Sequence, residues 1–297
     1  MRLIASLDEI RSLTQDLRRR GRPVCLVPTM GALHAGHLSL VRRAKSDGGA
    51  LVVSIFVNPA QFGPAEDYSR YPRDLDRDRE ALAAFEPEAV FVPEAPAMYP
   101  GRFETYVEPG SVAERFEGAL RPGHFRGVTT VVLKLLNLIA PDVAYFGQKD
   151  FQQTAVLRRV ITDFNINTGL VICPTVREPD GLALSSRNAY LSAGDRRAAP
   201  VLYRSLCRAR ELFHGGETRA DLLESAMRGV LEGEPGAKVD YAVIVRPETL
   251  EPVIRVTPGC VALVAARVGP VRLIDNLILG PRGASDENLI DLASPSS

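Results

Sequence analysis

The chain has 297 residues, 45% hydrophobic and 24% charged, with 36 Lys and Arg set against 36 Asp and Glu. That neutral balance excludes a general nucleic-acid binder, which needs a basic excess to displace counterions. The length predicts two domains, and no stretch reaches the roughly 18 apolar residues of a membrane span.

The elements follow in chain order. The opening MRLIASLDEIRSL mixes acids with apolar residues, unlike a signal peptide, so a cytoplasmic soluble protein is expected. PVCLVPT (23–29) reads as a buried strand and HLSLVRRAKS (37–46) as a helix with a basic outer side. ALVVSIFVN (50–58) is uninterrupted and β-branched, as a central parallel strand should be. DLDRDREALAAF (74–85) predicts a charged helix and AVFVPE (89–94) a strand. GVTTVVLKLLNLIAP (127–141) predicts a mostly buried helix stopped by Pro141. DVAYFGQKD (142–150) is a strand running into a loop, DFQQTAVLRRVITDF (150–164) a helix and TGLVICPTV (168–176) a strand. Alternation at this spacing predicts an α/β fold, a doubly wound parallel sheet of Rossmann-like type over residues 1–176.

The remainder, 177–297, changes character. Helices are expected over 195–216 and 219–233, then strands over 239–247, 260–269 and 271–279, forming a smaller α+β domain. The boundary falls near REPDGLALSSRN, and the small, polar tail from about 281 is expected to be disordered. Cys25, Cys173, Cys207 and Cys260 are far apart with no CxxC pair, which predicts buried reduced thiols and no structural zinc.

Chemistry concentrates first in VPTMGALHAGHLSLVRRAK, residues 27–45. A strand ends near Thr29, Gly31 and Gly36 flank His34 and His37, and a helix follows. In a doubly wound sheet, ligands sit outside the carboxyl ends of the strands. A helix start there offers N–H groups to phosphate, Gly36 allows close backbone approach, and two imidazoles can donate to oxygens whose charge grows in a transition state. A zinc pair is disfavoured, because HxGH lacks the glutamate of HExxH and no third ligand is evident.

This HxGH resembles the signature of the nucleotidyltransferase superfamily, which includes class I aminoacyl-tRNA synthetases. PTMGALHAGHLSL, SIFVNPAQFGPAEDYSRYPR, RPGHFRGVTTVV, FGQKDFQQ, PTVREPDGLALSSRNAYLS and RLIDN together resemble the pantoate–β-alanine ligase family, from near residue 1 to about 280. The resemblance implies ATP-dependent condensation of pantoate with β-alanine through a pantoyl adenylate, releasing AMP and pyrophosphate. The attacking carboxylate is already ionised at neutral pH, so the work is to bring an anion to a triphosphate with cations and N–H donors.

By the same resemblance His34, His37, Lys149 and Arg187 are the catalytic candidates. Pro28, Met30, Gly36, Gly147, Asp150, Val176, Ser185 and Ser186 join Lys149 and Arg187 as candidate ATP contacts, with Gly147 or Asp150 near the ribose. LSSRN is similar to the mobile KMSKS loop, without its first lysine. Gln61 and Gln153 are implied as hosts for pantoate; the chemistry of pantoate adds Asn58 and Tyr71 as candidate wall groups and Phe62 as a candidate apolar wall for the geminal methyls. Asp76 and Asp78 are candidate Mg²⁺ ligands or a solvated acidic helix start. Glu117, Arg121 and His124 are expected to be structural or subunit contacts, and His214 has no evident partner. The family also implies a homodimer and small-molecule substrates, while the neutral charge and the lack of a long apolar stretch argue against nucleic-acid and membrane partners. Two alternatives stand beside this reading: another HxGH adenylyltransferase acting on a phosphorylated acceptor, and a non-catalytic nucleotide binder that kept the fold.

Overall fold

The computed structural model describes residues 1–64, 66–284 and 290. The chain forms two compact units, one of Met1–Gly147 and Gln152–Cys173, the other of Gln148–Phe151 and the chain from Pro174 onward. The sequence suggested a single division at 176/177. The four residues Gln148–Phe151 depart from that linear scheme by joining the second unit. The expectation of a disordered tail falls largely on residues 285–289 and 291–297, which lie outside the described residues.

The first unit runs β1 (Arg2–Ile4), α1 (Leu7–Arg19), β2 (Val24–Thr29), α2 (Ala35–Ser46), β3 (Ala50–Ile55), α3 (Leu75–Ala83) and β4 (Ala89–Phe91). It continues through two single-turn helices, α4 (Ala95–Met98) and α5 (Glu117–Leu120), then α6 (His124–Ile139), β5 (Val143–Gly147), α7 (Phe151–Asp163) and β6 (Gly169–Cys173). Six strands pair in the order β1-β4-β3-β2-β5-β6, every neighbour parallel. The strands β2 and β3 are buried along almost their whole length, as uninterrupted apolar runs must be when helices cover both sheet faces. Val27, Val53, Val90, Leu82 and Tyr145 share one core cluster. The helix α6 ends where expected: Ala140 caps it in the left-handed region (φ 47°), and Pro141 follows.

The chain winds outward from β2 to β3 and β4, then returns to place β5 on the other side of β2, so the order reverses between β2 and β5. There the ladder is short. It stops at Leu26↔Ala144, whereas β2 stays paired with β3 to Thr29↔Ile55 and β5 with β6 to Gly147↔Cys173. The sheet therefore parts at the carboxyl ends of β2 and β5, the position at which open α/β sheets bind ligands.

The second unit holds α8 (Ala193–Ala198), α9 (Val201–His214), α10 (Ala220–Glu232) and an antiparallel sheet β7-β8-β9 (Ala237–Val245, Val261–Val268, Val271–Ile278). Leu206, Leu223 and Met227 of the helices pack on Ala242, Ile244, Ala262 and Val264 of the sheet. The single helix expected over 195–216 is two, α8 and α9, with Pro200 between them as the residue that lacks an N–H for the ladder. The elements β1 and α1 precede the alternating pattern that the sequence displays. The cap of α1 was visible as Ser6 three residues before Glu9, and Ser6 Oγ accepts from Glu9 N–H at 3.3 Å.

Candidate active site

The turn after β2 carries the histidine pair. His34 is the N-cap of α2, and a capping box closes it: Gly36 N–H donates to His34 Nδ1 (3.1 Å), and His34 N–H donates to His37 Nδ1 (3.4 Å). The rings lie 4.1 Å apart, tilted by 33°. A nitrogen that accepts an N–H bond carries no proton, so both rings are set as the Nε2–H tautomer. Sequence-local bonding thus aims two donors from the start of a 12-residue helix whose first turn has no acidic residue to repel an anion.

The approach to that turn is clamped from α3. Asp78, buried at 2% exposure, accepts from Leu33 N–H (Oδ1, 2.7 Å) and Ala32 N–H (Oδ2, 3.0 Å). Ala32 has a left-handed φ of 50°, and Gly31 one of 83°. A Cβ at Gly31 would stand 2.9 Å from Asp78 Oδ2 and 3.1 Å from Ile55 Cγ2. Glycine is therefore required there by conformation and by space. Burial raises the Asp78 pKa, against the two backbone N–H bonds that favour the carboxylate.

This geometry separates the two candidate Mg²⁺ ligands. Asp76 and Asp78 are two apart on a helix, so they point away from each other. Asp78 spends both oxygens on the turn, while Asp76 is exposed and paired with Arg79 at 3.3 Å. Among the described residues no group of three His, Cys, Asp or Glu side chains converges as a metal cluster.

Gln61 sits in the turn after β3, and its amide has a built support. Asn58, 1% exposed, donates through Nδ2 to Gln61 Oε1 (3.0 Å) and to the Gly127 carbonyl (3.1 Å). Its Oδ1 accepts from Tyr99 OH (2.7 Å) and Ala60 N–H (3.3 Å). Every polar atom of the Asn58 side chain is thus used inside the protein, which makes it a support for Gln61. Gln61 Nε2 rests on Met30 Sδ at 3.1 Å, a weak acceptor.

The backbone of the same turn is fixed from α6. His124 Nδ1 donates to the Gln61 carbonyl (2.9 Å), and its Nε2 accepts from Arg121 (3.1 Å). Arg121 in turn grips Glu66 by two bonds of 2.7 Å. Burial, then the Arg121 charge, lower the His124 pKa to about 4, so it stays neutral at ordinary pH. A Cβ at Gly127 would lie 2.2 Å from the Ala60 carbonyl oxygen, which explains a glycine in that helix. Tyr71 is buried and meets Phe62 edge-on at 6.0 Å between ring centres. A cavity of about 390 Å³ lined by Met30, Phe56, Tyr68, Arg73, Asp78 and Pro93 opens beside these groups at the ends of β2, β3 and β4.

The β5 side of the crevice ends in Gly147. Among the described residues no atom lies within 4 Å of a Cβ built there, and its φ is not left-handed, so neither their packing nor backbone strain demands glycine. Pro28 and Met30 are half-buried on the β2 side. In α7, Gln152 is consumed by the Val112 and Arg115 carbonyls and the Glu117 N–H, whereas Gln153, the residue expected to act, is half-buried one position on.

The second unit carries the other candidates. Lys149, in a single helical turn, donates to Asp150 Oδ1 at 3.3 Å, with side-chain exposures of 21% and 49%. Val176 and Leu184 face each other across a narrow hairpin, with Leu184 N–H bonded to the Val176 carbonyl (3.0 Å). That hairpin delivers Ser185, which caps the turn Ser186–Tyr190 by accepting from Arg187 N–H (3.3 Å). His214, left without a partner by the sequence, bonds through Nε2 to the Gly280 carbonyl at 3.0 Å.

The family model described as pantoate-beta-alanine ligase matches residues 2–278. A pantothenate synthetase of Roseiflexus castenholzii is 52% identical over 279 residues, covering 94% of this chain and 99% of that protein. The crystal structure of pantothenate synthetase from Thermus thermophilus matches with a TM-score of 0.90 at 46% identity, over 95% of this chain and 100% of that one. The pantoate-beta-alanine ligase of Francisella tularensis, in complex with beta-gamma ATP and beta-alanine, matches with a TM-score of 0.77 at 35% identity, over 94% and 97% of the two chains. The parted Rossmann-like sheet, the capped histidine turn and this full-length likeness have one explanation: the chain belongs to the pantoate-beta-alanine ligase family.

Proposed function

We propose that the protein joins pantoate to β-alanine at the expense of ATP, in two steps. In the first, a pantoate carboxylate oxygen attacks the α-phosphorus, a P–O bond forms, and pyrophosphate leaves with the electrons of the broken bond. In the second, the β-alanine amine attacks the acyl carbon, AMP leaves, and the nitrogen gives up a proton. The carrying observation is the His34–His37 turn: two rings locked as Nε2–H donors at a helix start beside the sheet's switch point. Such donors stabilise charge that grows on phosphate oxygens without needing to move a proton.

The roles follow from chemistry. His34 and His37 stabilise the transferring phosphate, and the Gly36 N–H adds to the helix start. Lys149 and Arg187 neutralise the triphosphate, with Ser185 and Ser186 as hydroxyl donors. Gly147 is glycine because the nucleotide takes the open space beside it, and Pro28, Met30, Asp150 and Val176 complete the nucleotide contacts. Gln61 and Gln153 bind the pantoate hydroxyls and carboxylate, with Tyr71 and Phe62 as the apolar side. Asp76 and Asp78 do not suit a protein-held Mg²⁺. Such an ion would arrive on the ATP phosphates, as magnesium usually does. A homodimer and a cytoplasmic location complete the reading on the strength of the family.

The test is pantothenate formation with ATP, pantoate or β-alanine omitted in turn, alongside pyrophosphate release from ATP and pantoate alone. Release without β-alanine supports the adenylate. Release only with a phosphorylated acceptor such as phosphopantetheine refutes the reading.

A further inference from the structure

Two blocks of sequence remain outside the roles above: the loop around Arg177 and the Asp275–Asn276 pair of β9. Both converge on the backbone that carries Lys149. Asn276 is 1% exposed. Its Nδ2 donates to the carbonyls of Gln148 and Lys149, each at 2.9 Å, and its Oδ1 accepts from Gln148 Nε2 at 3.1 Å. Asn276 is itself held. Its N–H donates to Asp275 Oδ1 (2.7 Å), and its carbonyl accepts from Arg177 Nη2 (3.2 Å).

Beneath it, Arg177 grips Asp275 by bonds of 2.6 and 2.9 Å, with side-chain exposures of 18% and 3%. Burial opposes the Arg177 charge, but the Asp275 carboxylate outweighs it and raises the Arg177 pKa. The guanidinium also stacks over the Tyr203 ring at 4.0 Å. The pair is thus a fixed base on which one amide presents two donors to successive carbonyls. It is also why Gln148–Phe151, flanked on both sides by first-unit chain, belongs to the second unit.

We propose that Asn276 is a positioning residue for Lys149, with the Arg177–Asp275 pair as its base. The inference rests on the reading that Lys149 acts on the triphosphate. An ammonium on a four-carbon stem reaches its target only if the Cα that carries it is fixed. Shifts of about 1 Å can cost on the order of 100-fold in rate. Asn276 does this from 127 residues away in sequence, by holding the Lys149 peptide and leaving the side chain to the substrate.

The experiment is a double-mutant cycle on Asn276→Asp and Lys149→Ala, read as single-turnover pyrophosphate release and as ATP affinity by equilibrium dialysis. The aspartate is isosteric but turns an oxygen toward two carbonyls. Expected is a loss of about 10-fold or more in rate for Asn276→Asp alone, and under about 2-fold when Lys149 is already alanine, because removal of the ammonium makes its placement irrelevant. If the Lys149→Ala rate falls below detection, the affinity arm carries the same comparison. If Asn276→Asp does not melt cooperatively, Asn276→Ser takes its place. Equal losses in both backgrounds, or none in the first, would overturn the inference and leave the function standing. A wild-type protein that releases no pyrophosphate from ATP and pantoate would overturn the functional reading, and an unaffected Lys149→Ala the role of that lysine. Either would remove this inference too.

Discussion

Asp78→Asn isolates the clamp on the histidine turn. The wild-type carboxylate accepts two backbone N–H bonds, a buried one at 2.7 Å and a partly buried one at 3.0 Å. The amide keeps the shape but one acceptor only, and its NH2 group faces the other N–H. One charge-assisted bond worth about 1.5–3 kcal/mol is lost, and a partly buried donor is orphaned at about 1–3 kcal/mol. Against this, the substitution removes a carboxylate whose ionisation burial already disfavours. The net expectation is a stability loss of about 2 kcal/mol. The turn relaxes and His34 and His37 lose register, for which a rate loss of about 10- to 100-fold is the appropriate scale. Urea unfolding gives the first number and pyrophosphate release from ATP and pantoate the second. Gly31→Ala should act alike by another route, since its Cβ would crowd Asp78 Oδ2 at 2.9 Å and its φ is 83°. Wild-type adenylation in Asp78→Asn, at unchanged stability, would refute the clamp.

Further tests address other parts of the site. His37→Ala should slow adenylation by about 100-fold or more with little change in stability, if it stabilises the transition state; equal turnover would remove that role. Asn58→Leu should raise the KM for pantoate more than that for ATP, because Gln61 loses its 3.0 Å support; a selective rise in the ATP KM would contradict it. His124 gives a pH signature with a fixed sign. Its pKa is about 4 in the fold against 6.5 ordinarily, so the unfolded chain takes a proton that the folded chain refuses. Stability from this group is complete above pH 6.5 and is lost as pH falls toward 4, by up to about 3 kcal/mol. Glu66, whose pKa Arg121 lowers despite burial, adds a loss of the same sign at lower pH. Urea midpoints at pH 7 and 5 should fall further in wild type than in His124→Gln, and equal falls would refute the assignment.

Which of these features the sequence displays depends on the range of the interaction. The strands β2 and β3 are legible because burial on both faces leaves an uninterrupted apolar run, a pattern local to six residues each. The histidine turn is legible because its capping box closes within four residues. The break at Pro200 obeys an equally local rule that an amphipathic pattern running across it conceals. Asp78 is visible as an acid, but not its direction, since an acid two positions from Asp76 on a helix must face elsewhere. Asn58 finds Tyr99 41 residues on and Gly127 69 residues on. Asn276 reaches back 127 residues to Lys149. No periodicity encodes such pairings, because they are chosen by the tertiary fold.

The hydrogen-bond ledger, once the fold is known, separates two kinds of polar residue that the sequence presents alike. A side chain whose donors and acceptors are all consumed within the protein has nothing left for a substrate. Asn58, Asp78, Gln152 and Asn276 are of this kind. Gln61 differs: its NH2 leans on a thioether, a partner weak enough to yield to a hydroxyl or carboxylate. Lys149 differs too, since one of three ammonium donors meets Asp150 at a long 3.3 Å. Two of the satisfied residues hold the two that keep capacity: Asn58 bonds the Gln61 amide and Asn276 the Lys149 carbonyl, so an aiming role is separable from a contact role in each pair. Substitution should tell the two apart, because loss of an aiming residue is felt only while the residue it aims is present.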